Sequence, residues 1–517
     1  MSDPAEVGEQ ERLAVGAPVR DARTVFLSRP VLAAALAFAL SFVPEVVPGL
    51  ATARVWSRPP APQAPAETLR DASGRSTVGE AELSTETRGR GDGPPAAAPA
   101  VARGPIPAAQ PVDPEPLLDK PPKVPIVDPT GKALDGLFAS LDRTRSAQPG
   151  AITRIVHFGD SIVASDYVSG TLRRRFQERF GDAGHGFALI ANAWPAYSHN
   201  DIERYATVGW KVSRVTGPLV EDGFYGMGFV SFRAERHALA RFSTTEGKFG
   251  NRVSRFSVSY LEVPGGGTFE LTVDGTQKHL VDTAGPTKRS RWYVLDVPDG
   301  PHSFEILTKS GLSRLFGVVL ERRTPGVVLD AIGIQGARIR FLDKQDDAHW
   351  AEQLASREPA LLIYQFGANE SADGFLYSME DYHRTMKEVL EQAQRAVPKA
   401  SCLVIGAMDR AAKRGDELIS IRVLPHLIAQ QKRVATEVGC AFFDTFEAMG
   451  GTGSMPNWVK RGLGQADLTH PTGVGAELIG TWIFRALMQR YGEYVRAAAP
   501  AAPSPSNSSP NREPSTR

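Results

Sequence analysis

The sequence predicts an α/β protein whose mostly parallel sheet is interrupted by an antiparallel β-rich insertion. Apolar strand-like runs alternate with helix-like stretches over residues 129–200 and 326–496, and one of these helix-like stretches spans residues 416–438. That alternation is typical of a parallel sheet covered by helices on both faces. Between them, residues 201–325 contain short segments of alternating apolar and polar residues, separated by glycine-rich turns. This pattern is typical of an antiparallel β-sandwich.

The overall composition excludes two broad classes of protein. The 517 residues include 59 Lys and Arg against 58 Asp and Glu, which gives a formal net charge of +1. A nucleic-acid-binding protein would normally carry a basic excess, so we expect no nucleic-acid partner. The hydrophobic fraction of 42% suits a chain with a real core and is too low for a multi-span membrane protein.

The N-terminal segment has the pattern of a signal peptide. Four arginines precede an apolar run at residues 30–43, and a small-residue Ala-Thr-Ala site follows at 51–53. The run is shorter than the roughly 20 apolar residues of a transmembrane span. We therefore predict that residues 1–53 are a signal peptide or signal anchor and that the protein is exported to the periplasm or cell envelope. An uncleaved anchor, which would tether the chain to a membrane, and a buried helix stay open as alternatives.

Two segments outside the predicted folded part are rich in proline, alanine and small polar residues, namely 54–128 and 497–517. Such a composition cannot bury enough apolar surface to offset the entropy lost on ordering. We therefore predict a disordered Pro/Ala-rich linker and a disordered tail. The folded part would then consist of residues 129–200 and 326–496, with the β-rich insertion at 201–325.

The chain has two cysteines, Cys402 and Cys440, and both lie in apolar strand-like runs. An exported protein could pair them. Because buried cysteine often behaves as a small hydrophobic residue, we expect two reduced thiols on neighbouring strands. Neither cysteine has the spacing to histidine or cysteine that is typical of a zinc site.

Three short polar motifs follow predicted strands of the α/β part. Gly159-Asp160-Ser161 comes directly after an apolar run, Gly336 lies in the turn after a second, and Gly367-Ala368-Asn369 follows a third. The 33 residues from Gly336 to Asn369 suit one strand–helix–strand unit. A turn at the carboxyl end of a strand is where α/β sheets place their sites, although each motif alone is a weak signal.

A fourth motif precedes the last predicted helix. Asp467 and His470 are three residues apart on a predicted turn. An aspartate at this spacing can hold one imidazole tautomer, and the imidazole can then act on a serine elsewhere in the chain. The pair alone is more often a solvated aspartate and a structural histidine.

In this order, the four motifs resemble those of the SGNH hydrolases, the GDSL-like esterase superfamily, with Ile162 in place of the common leucine. The resemblance implies a flavodoxin-like fold without metal or cofactor. It implies that Ser161 is the nucleophile, that His470 is the general base and then the general acid, and that Asp467 orients His470. The oxyanion hole would comprise the backbone N–H groups of Ser161 and Gly336 and the side-chain amide of Asn369.

An SGNH domain split by a β-sandwich resembles the bacterial peptidoglycan O-acetylesterases. The resemblance implies a jelly-roll-like, carbohydrate-binding insertion, and a purely structural cap is the alternative. Four aromatic residues of the insertion could stack on sugars, although burial is the commoner fate of each: Trp210, Phe224, Tyr225 and Trp292. Whether His185 and Trp458 line the cleft is left open.

The predicted function is that of an exported serine esterase that removes O-acetyl groups from peptidoglycan or another cell-envelope polysaccharide. The partner would be an O-acetylated polysaccharide. A polysaccharide O-acetyltransferase with the same triad is the nearest alternative, because water and a sugar hydroxyl compete for one acyl-enzyme. A lipase or lysophospholipase should prefer long acyl chains, and a non-catalytic glycan-binding protein should show no turnover. The sequence leaves the oligomeric state open.

Overall fold

The computed structural model describes residues 124–498. The predicted signal segment, nearly all of the predicted linker and nearly all of the predicted tail lie outside this range. Across residues 124–498, no helix is both long and apolar enough to cross a bilayer.

Strands and α-helices are numbered here in chain order. The strands are β1 (Ile152–Gly159), β2 (Gly186–Ala188), β3 (Glu203–Ala206), β4 (Lys211–Arg214), β5 (Val230–Ala234), β6 (Leu239–Ser243), β7 (Val253–Glu262), β8 (Thr268–Val273), β9 (Gln277–Asp282), β10 (Arg289–Gly300), β11 (Ser303–Ser310), β12 (Ser313–Glu321), β13 (Gly326–Gly333), β14 (Leu361–Gln365), β15 (Ser401–Ile405), β16 (Ala411–Arg414), β17 (Glu417–Ser420) and β18 (Ala441–Phe443). The helices are α1 (Asp135–Arg145), α2 (Ser161–Ala164), α3 (Val168–Phe180), α4 (Asp347–Ala355), α5 (Met379–Ala396), α6 (Leu424–Glu437), α7 (Thr445–Met449), α8 (Ser454–Lys460) and α9 (Gly473–Ala498). Two 3₁₀ helices span Ile339–Lys344 and Ser371–Leu376.

A five-stranded parallel sheet forms the centre of the α/β part, in the order β13-β1-β14-β15-β18. Every residue of β13, β14, β15 and β18 is buried. Continuous apolar strands of this kind are expected when helices cover both faces of a sheet. The predicted α/β fold with a parallel sheet is therefore confirmed.

Helices pack against the two faces of this sheet in two separate apolar clusters. Helices α1, α3 and α9 contribute to one cluster, and α4, α5 and α6 contribute to the other. Helix α3 buries Leu172, Phe176 and Phe180, which repeat every four residues along one side, and it ends at Gly181 with a positive φ of 97°. Helix α9 approaches α3 closely at Gly480, where an added Cβ would lie 2.8 Å from Thr171.

Two antiparallel sheets lie between β1 and β13 in the sequence. One has the order β10-β7-β12-β5-β4, with β2 also paired to β12, and the other has the order β3-β6-β11-β8-β9. Phe256 of the first sheet stacks on Phe304 of the second with ring centroids 4.6 Å apart. This arrangement is compatible with an inserted β-sandwich. Its limits at 201 and 325 and its carbohydrate binding stay predictions.

The sequence pattern wrongly predicts one long helix over residues 416–438. Residues 411–420 instead form the β16–β17 hairpin, and α6 begins only at Leu424. Gly415 supplies the left-handed turn conformation, with φ of 60°. Pro425 lies in the first turn of α6, where its missing N–H costs no hydrogen bond.

The expectation of two reduced thiols is also wrong, because Cys402 and Cys440 form a disulfide with their Cα atoms 4.7 Å apart. Strands β15 and β18 are parallel neighbours, and Leu403 pairs with Ala441. The residues immediately before this pair are the two cysteines, which therefore lie side by side. The sequence did not reveal this register.

Candidate active site

The turn after β1 presents Ser161 at the carboxyl end of the sheet. Asp160 caps α2, and its Oδ1 accepts the backbone N–H of Ile162 at 3.0 Å. Gly159 leaves no room for a side chain, since an added Cβ would lie 2.7 Å from the carbonyl oxygen of Gln365. The Gly-Asp-Ser motif thus combines a close approach between strands, a helix cap and a half-buried hydroxyl.

Ser161, His470 and Asp467 form a continuous hydrogen-bonded line. Ser161 Oγ lies 2.8 Å from His470 Nε2, and His470 Nδ1 lies 2.5 Å from Asp467 Oδ2. The contact of Asp467 with Nδ1 places the proton there and leaves Nε2 free to accept the serine proton. The His470 side chain is 23% exposed, so the line is accessible to an external substrate.

The loop that carries the acid and the imidazole is fixed by its own hydrogen bonds. Asp467 Oδ1 accepts the backbone N–H groups of Thr469 at 2.9 Å and of His470 at 3.0 Å. Burial acts to raise the pKa of Asp467, but the hydrogen bonds from the side chain and backbone of His470 outweigh it and lower the pKa below its ordinary value. The shift favours the ionised carboxylate, which is the form that accepts the hydrogen bond from His470 Nδ1.

The three predicted oxyanion donors lie just after adjacent strands, β13, β1 and β14, with Ser161 as the first residue of α2. Within residues 124–498, the backbone N–H groups of Ser161 and Gly336 have no acceptor. Asn369 donates from Nδ2 to the carbonyl oxygen of Ala337 at 2.9 Å, which fixes the orientation of the amide and leaves its second N–H available. Three N–H donors at this edge are suited to an oxyanion.

Two residues that sequence reasoning missed connect these loops. Arg410 donates from Nη1 to the Ala368 carbonyl oxygen and to Ser371 Oγ, and from Nε to Thr469 Oγ1 at 3.2 Å. It therefore joins the Asn369 loop to the His470 loop. Because Arg410 lies between residues that are distant in sequence and belongs to no motif, nothing in the sequence identified it.

Glu370 is the second such residue. Its Oε1 accepts the backbone N–H of Ile339 at 2.8 Å, which ties the Asn369 loop to the segment after Gly336. Its Oε2 is buried without a partner among the described residues. Burial raises the pKa of Glu370 to about 7, and the nearby Asp160 adds to the shift. Its position directly after Asn369 was the only signal in the sequence.

His157, His185 and Trp458 form no hydrogen bond with Ser161, His470 or Asp467 among the described residues. His157 is buried, its Nε2 lies 3.1 Å from Gln365 Oε1, and burial lowers its pKa to about 4. His185 contacts His199 at 3.0 Å, and Trp458 packs against Trp482. Of the four aromatic residues of the insertion, none is exposed.

A cavity of about 10 Å³ lies beside the site and contacts Asp160, Ile162 and Thr469. It has room for about one water molecule and is too small for an ester substrate. No group of three or more acidic, histidine or cysteine side chains within residues 124–498 is arranged to hold a metal ion.

Comparison with known proteins gives one family match and a set of structural matches. Residues 301–478 match the GDSL-like lipase/acylhydrolase family, a range that includes Gly336, Asn369 and His470 and begins after Ser161. No curated protein sequence matches the chain. A solved structure of a peptidoglycan O-acetylesterase is 23% identical, covers 71% of this chain and 99% of its own, and superposes with a TM-score of 0.61, which shows a shared fold.

A family two carbohydrate esterase from Cellvibrio japonicus also matches, with 12% identity over 56% of this chain and 98% of its own, at a TM-score of 0.23. The family match and the parallel-sheet fold agree with the order of the sequence motifs. Residues 301–478 therefore match the GDSL-like lipase/acylhydrolase family, and the chain shares the fold of an esterase of known structure, which together support a carboxylic ester hydrolase.

Proposed function

We propose that the protein is an exported serine esterase that removes O-acetyl groups from peptidoglycan or another cell-envelope polysaccharide. The observation that carries this proposal is the hydrogen-bonded line from Ser161 Oγ through the His470 ring to Asp467 Oδ2. A serine, an imidazole and a carboxylate in this order are what acyl transfer at neutral pH requires.

In the first half of the reaction, Ser161 Oγ attacks the acetyl carbonyl carbon while its proton passes to His470 Nε2. The negative charge on the carbonyl oxygen is received by the N–H groups of Ser161 and Gly336 and by Asn369 Nδ2. Each such donor is typically worth about 2.7–4 kcal/mol of barrier. The intermediate then collapses, the bond to the sugar oxygen breaks, and His470 returns the proton to that oxygen. The products are an acetyl-serine and a free glycan hydroxyl.

In the second half, water takes the place of the sugar. His470 removes a proton from the water as it attacks the acetyl-serine, and the second tetrahedral intermediate expels Ser161 Oγ, which regains its proton from His470. Acetic acid leaves and ionises in solution. Asp467 stays ionised throughout, because its role is to stabilise the imidazolium that forms twice in the cycle.

Two further observations support the substrate class and the location. The fold is shared with a peptidoglycan O-acetylesterase, which favours an acetylated polysaccharide as substrate. The disulfide between Cys402 and Cys440 favours an oxidising compartment, because disulfides persist in exported proteins and are rare in the cytosol. Both agree with the signal-like pattern at the N-terminus.

The test is acetate release from purified O-acetylated peptidoglycan by the wild type and by Ser161→Ala. We expect the variant to lose at least about 10³-fold in kcat, because the nucleophile is removed while the oxyanion donors remain. Ser165→Ala is a matched control, since Ser165 lies one turn away and its Oγ bonds only the Ile162 carbonyl oxygen among the described residues.

Full activity of Ser161→Ala would contradict the proposal. Consumption of acetyl ester with transfer to a glycan hydroxyl, and little free acetate, would instead identify an O-acetyltransferase with the same triad. A preference for long-chain over acetyl esters would identify a lipase.

A further inference from the structure

A second cavity, of about 350 Å³, lies beside the catalytic loops, between the 3₁₀ helix Ser371–Leu376 and the β16–β17 hairpin. We call it the hairpin cleft. Its volume is within the range of roughly 300–1,000 Å³ that is common for small-ligand sites. None of the mechanistic steps above uses it.

Hydrogen bonds join the wall of the hairpin cleft directly to the proposed catalytic machinery. Ser371 lines the cleft, and its Oγ accepts from Arg410 Nη1 at 2.8 Å. Arg410 also bonds Thr469, the neighbour of His470. The hairpin itself is attached to the same loop, because the backbone N–H of Ala411 donates to the Leu468 carbonyl oxygen at 3.0 Å. A polymer bound in the cleft would therefore lie next to the site that takes its acetyl group.

The hairpin cleft carries two exposed arginines. Arg414 and Arg422 both line it, both are exposed, and neither forms an ion pair with a described residue. The carboxylate nearest in register is Glu417, which stands opposite Arg414 on the hairpin without an ion pair. Helix α6 begins at Leu424, immediately after the lining residues, so its positive end adds to the field. Two free guanidinium groups suit a carboxylate.

The cleft also has one exposed aromatic wall. The Phe375 side chain is 64% exposed, and its ring contacts the ring of His426 of α6 at 5.4 Å between centroids. An exposed large apolar side chain beside a polar cleft marks a binding surface more often than an isolated surface residue does. A rigid aromatic face of this kind can pack against the apolar face of a sugar ring.

We propose that the hairpin cleft binds a carboxylate-bearing unit of acetylated peptidoglycan next to the sugar that is deacetylated, with Arg414 and Arg422 on the carboxylate and Phe375 against the sugar. This inference rests on the proposed esterase function and adds to it a subsite for an anionic polymer. It predicts that the enzyme favours acetylated glycans with free carboxylates over the same glycans with those carboxylates blocked.

The test compares soluble O-acetylated peptidoglycan fragments before and after their carboxylates are converted to neutral amides by carbodiimide coupling with ethanolamine. The double variant Arg414→Gln/Arg422→Gln is compared with the wild type, and 4-nitrophenyl acetate serves as a reference substrate without a glycan. Lys413→Gln is the matched control, because Lys413 is on the same strand, points to the opposite side and does not line the cleft.

We expect amidation to lower the wild-type kcat/KM by at least about tenfold, the loss expected when a charge-assisted hydrogen bond disappears. For each protein, kcat/KM on native fragments is divided by kcat/KM on 4-nitrophenyl acetate. This ratio should be lower in the double variant than in the wild type, by a similar factor. Amidation should then have little further effect on the variant. Lys413→Gln should discriminate as the wild type does. The proposal is overturned if the double variant still distinguishes native from amidated fragments as strongly as the wild type.

A binding measurement separates this proposal from the proposed function. Native fragments are titrated by calorimetry into Ser161→Ala and into the triple variant Ser161→Ala/Arg414→Gln/Arg422→Gln. We expect the dissociation constant to rise by at least about tenfold in the triple variant. If the wild type releases no acetate from any ester, the esterase proposal fails. The titration still tests whether the hairpin cleft binds a carboxylate. Equal dissociation constants at unchanged thermal stability would rule the cleft out as a carboxylate site.

Discussion

Three ion pairs show a contrast between the parallel-sheet region and the antiparallel sheets. Around the parallel sheet, Arg173 bonds Asp166 with both side chains fully buried, and Arg357 bonds Asp330 with almost no exposure. On the antiparallel sheets, pairs such as Arg255 with Asp296 lie across neighbouring strands with a third or more of each side chain exposed. The two buried pairs join segments of the α/β part, whereas the exposed pair lies on the surface of an antiparallel sheet.

The largest effect on stability should therefore come from breaking a buried pair. Arg173→Met should lower the free energy of unfolding by about 3–5 kcal/mol, because it leaves the buried carboxylate of Asp166 without its partner. Arg255→Met makes the same change in the exposed pair and should cost about 0–1 kcal/mol. Urea unfolding followed by circular dichroism measures both. Equal losses in the free energy of unfolding for Arg173→Met and Arg255→Met would contradict the contrast between the two regions.

A smaller effect, this time on the rate, should come from the loops at the carboxyl edge of the parallel sheet. Asn369→Ala should lower kcat on an acetyl ester by about 10²–10³-fold, as expected for the loss of one oxyanion donor. Asn457→Ala alters an exposed asparagine of α8 and serves as the control. Steady-state kinetics on 4-nitrophenyl acetate measures the difference. A normal kcat in Asn369→Ala would remove its amide from the oxyanion hole.

The smallest predicted effect concerns the pH dependence of stability and involves Glu370. Its folded pKa of about 7 lies above the ordinary glutamate value because the carboxyl is buried. The negative charge of Asp160 also raises this pKa, whereas the positive charge of Arg338 lowers it. Tyr377 and Tyr382 also face it. As the pH rises from about 4.5 to 7, the unfolded chain releases this proton before the folded one does. The contribution of Glu370 to the free energy of unfolding is therefore present at low pH and is lost as the pH rises from about 4.5 to 7.

Glu370→Gln cannot ionise, so its stability relative to the wild type should rise across the same window, by on the order of 2–3 kcal/mol. Thermal melts of both proteins at a series of pH values between 4 and 8 test this. Glu305→Gln, on an antiparallel sheet, is the comparison variant. Parallel pH curves for Glu370→Gln and the wild type would contradict the assigned burial effect.

The contrast between the regions also explains what the sequence could predict. The buried strands of the parallel sheet are continuous apolar runs, so the fold class and the strand ends at Ser161 and Asn369 followed from pattern alone. The hairpin at 411–420 was missed because Leu418, Ile421 and their neighbours also fit a helical period. Apolar spacing cannot distinguish the two when the turn depends on a single Gly415.

The features that the sequence did not reveal depend on register and on contacts between distant segments. The disulfide follows from the alignment of β15 with β18, which no local pattern specifies. Arg410 and Glu370 act through bonds between loops that are far apart in sequence. The candidate catalytic motifs can be recognised in the sequence because they lie at strand ends, whereas the residues that join their loops are identified only from the structure.

The most direct test of the central claim is to locate the nucleophile by covalent labelling. The wild-type protein is treated with diisopropyl fluorophosphate while loss of acetylesterase activity is followed, and the labelled peptide is identified by mass spectrometry. The account predicts a single adduct on Ser161 that forms in step with the loss of activity and whose formation is strongly slowed in His470→Ala. Loss of activity with the adduct on another residue, or full labelling of Ser161 with activity retained, would contradict it.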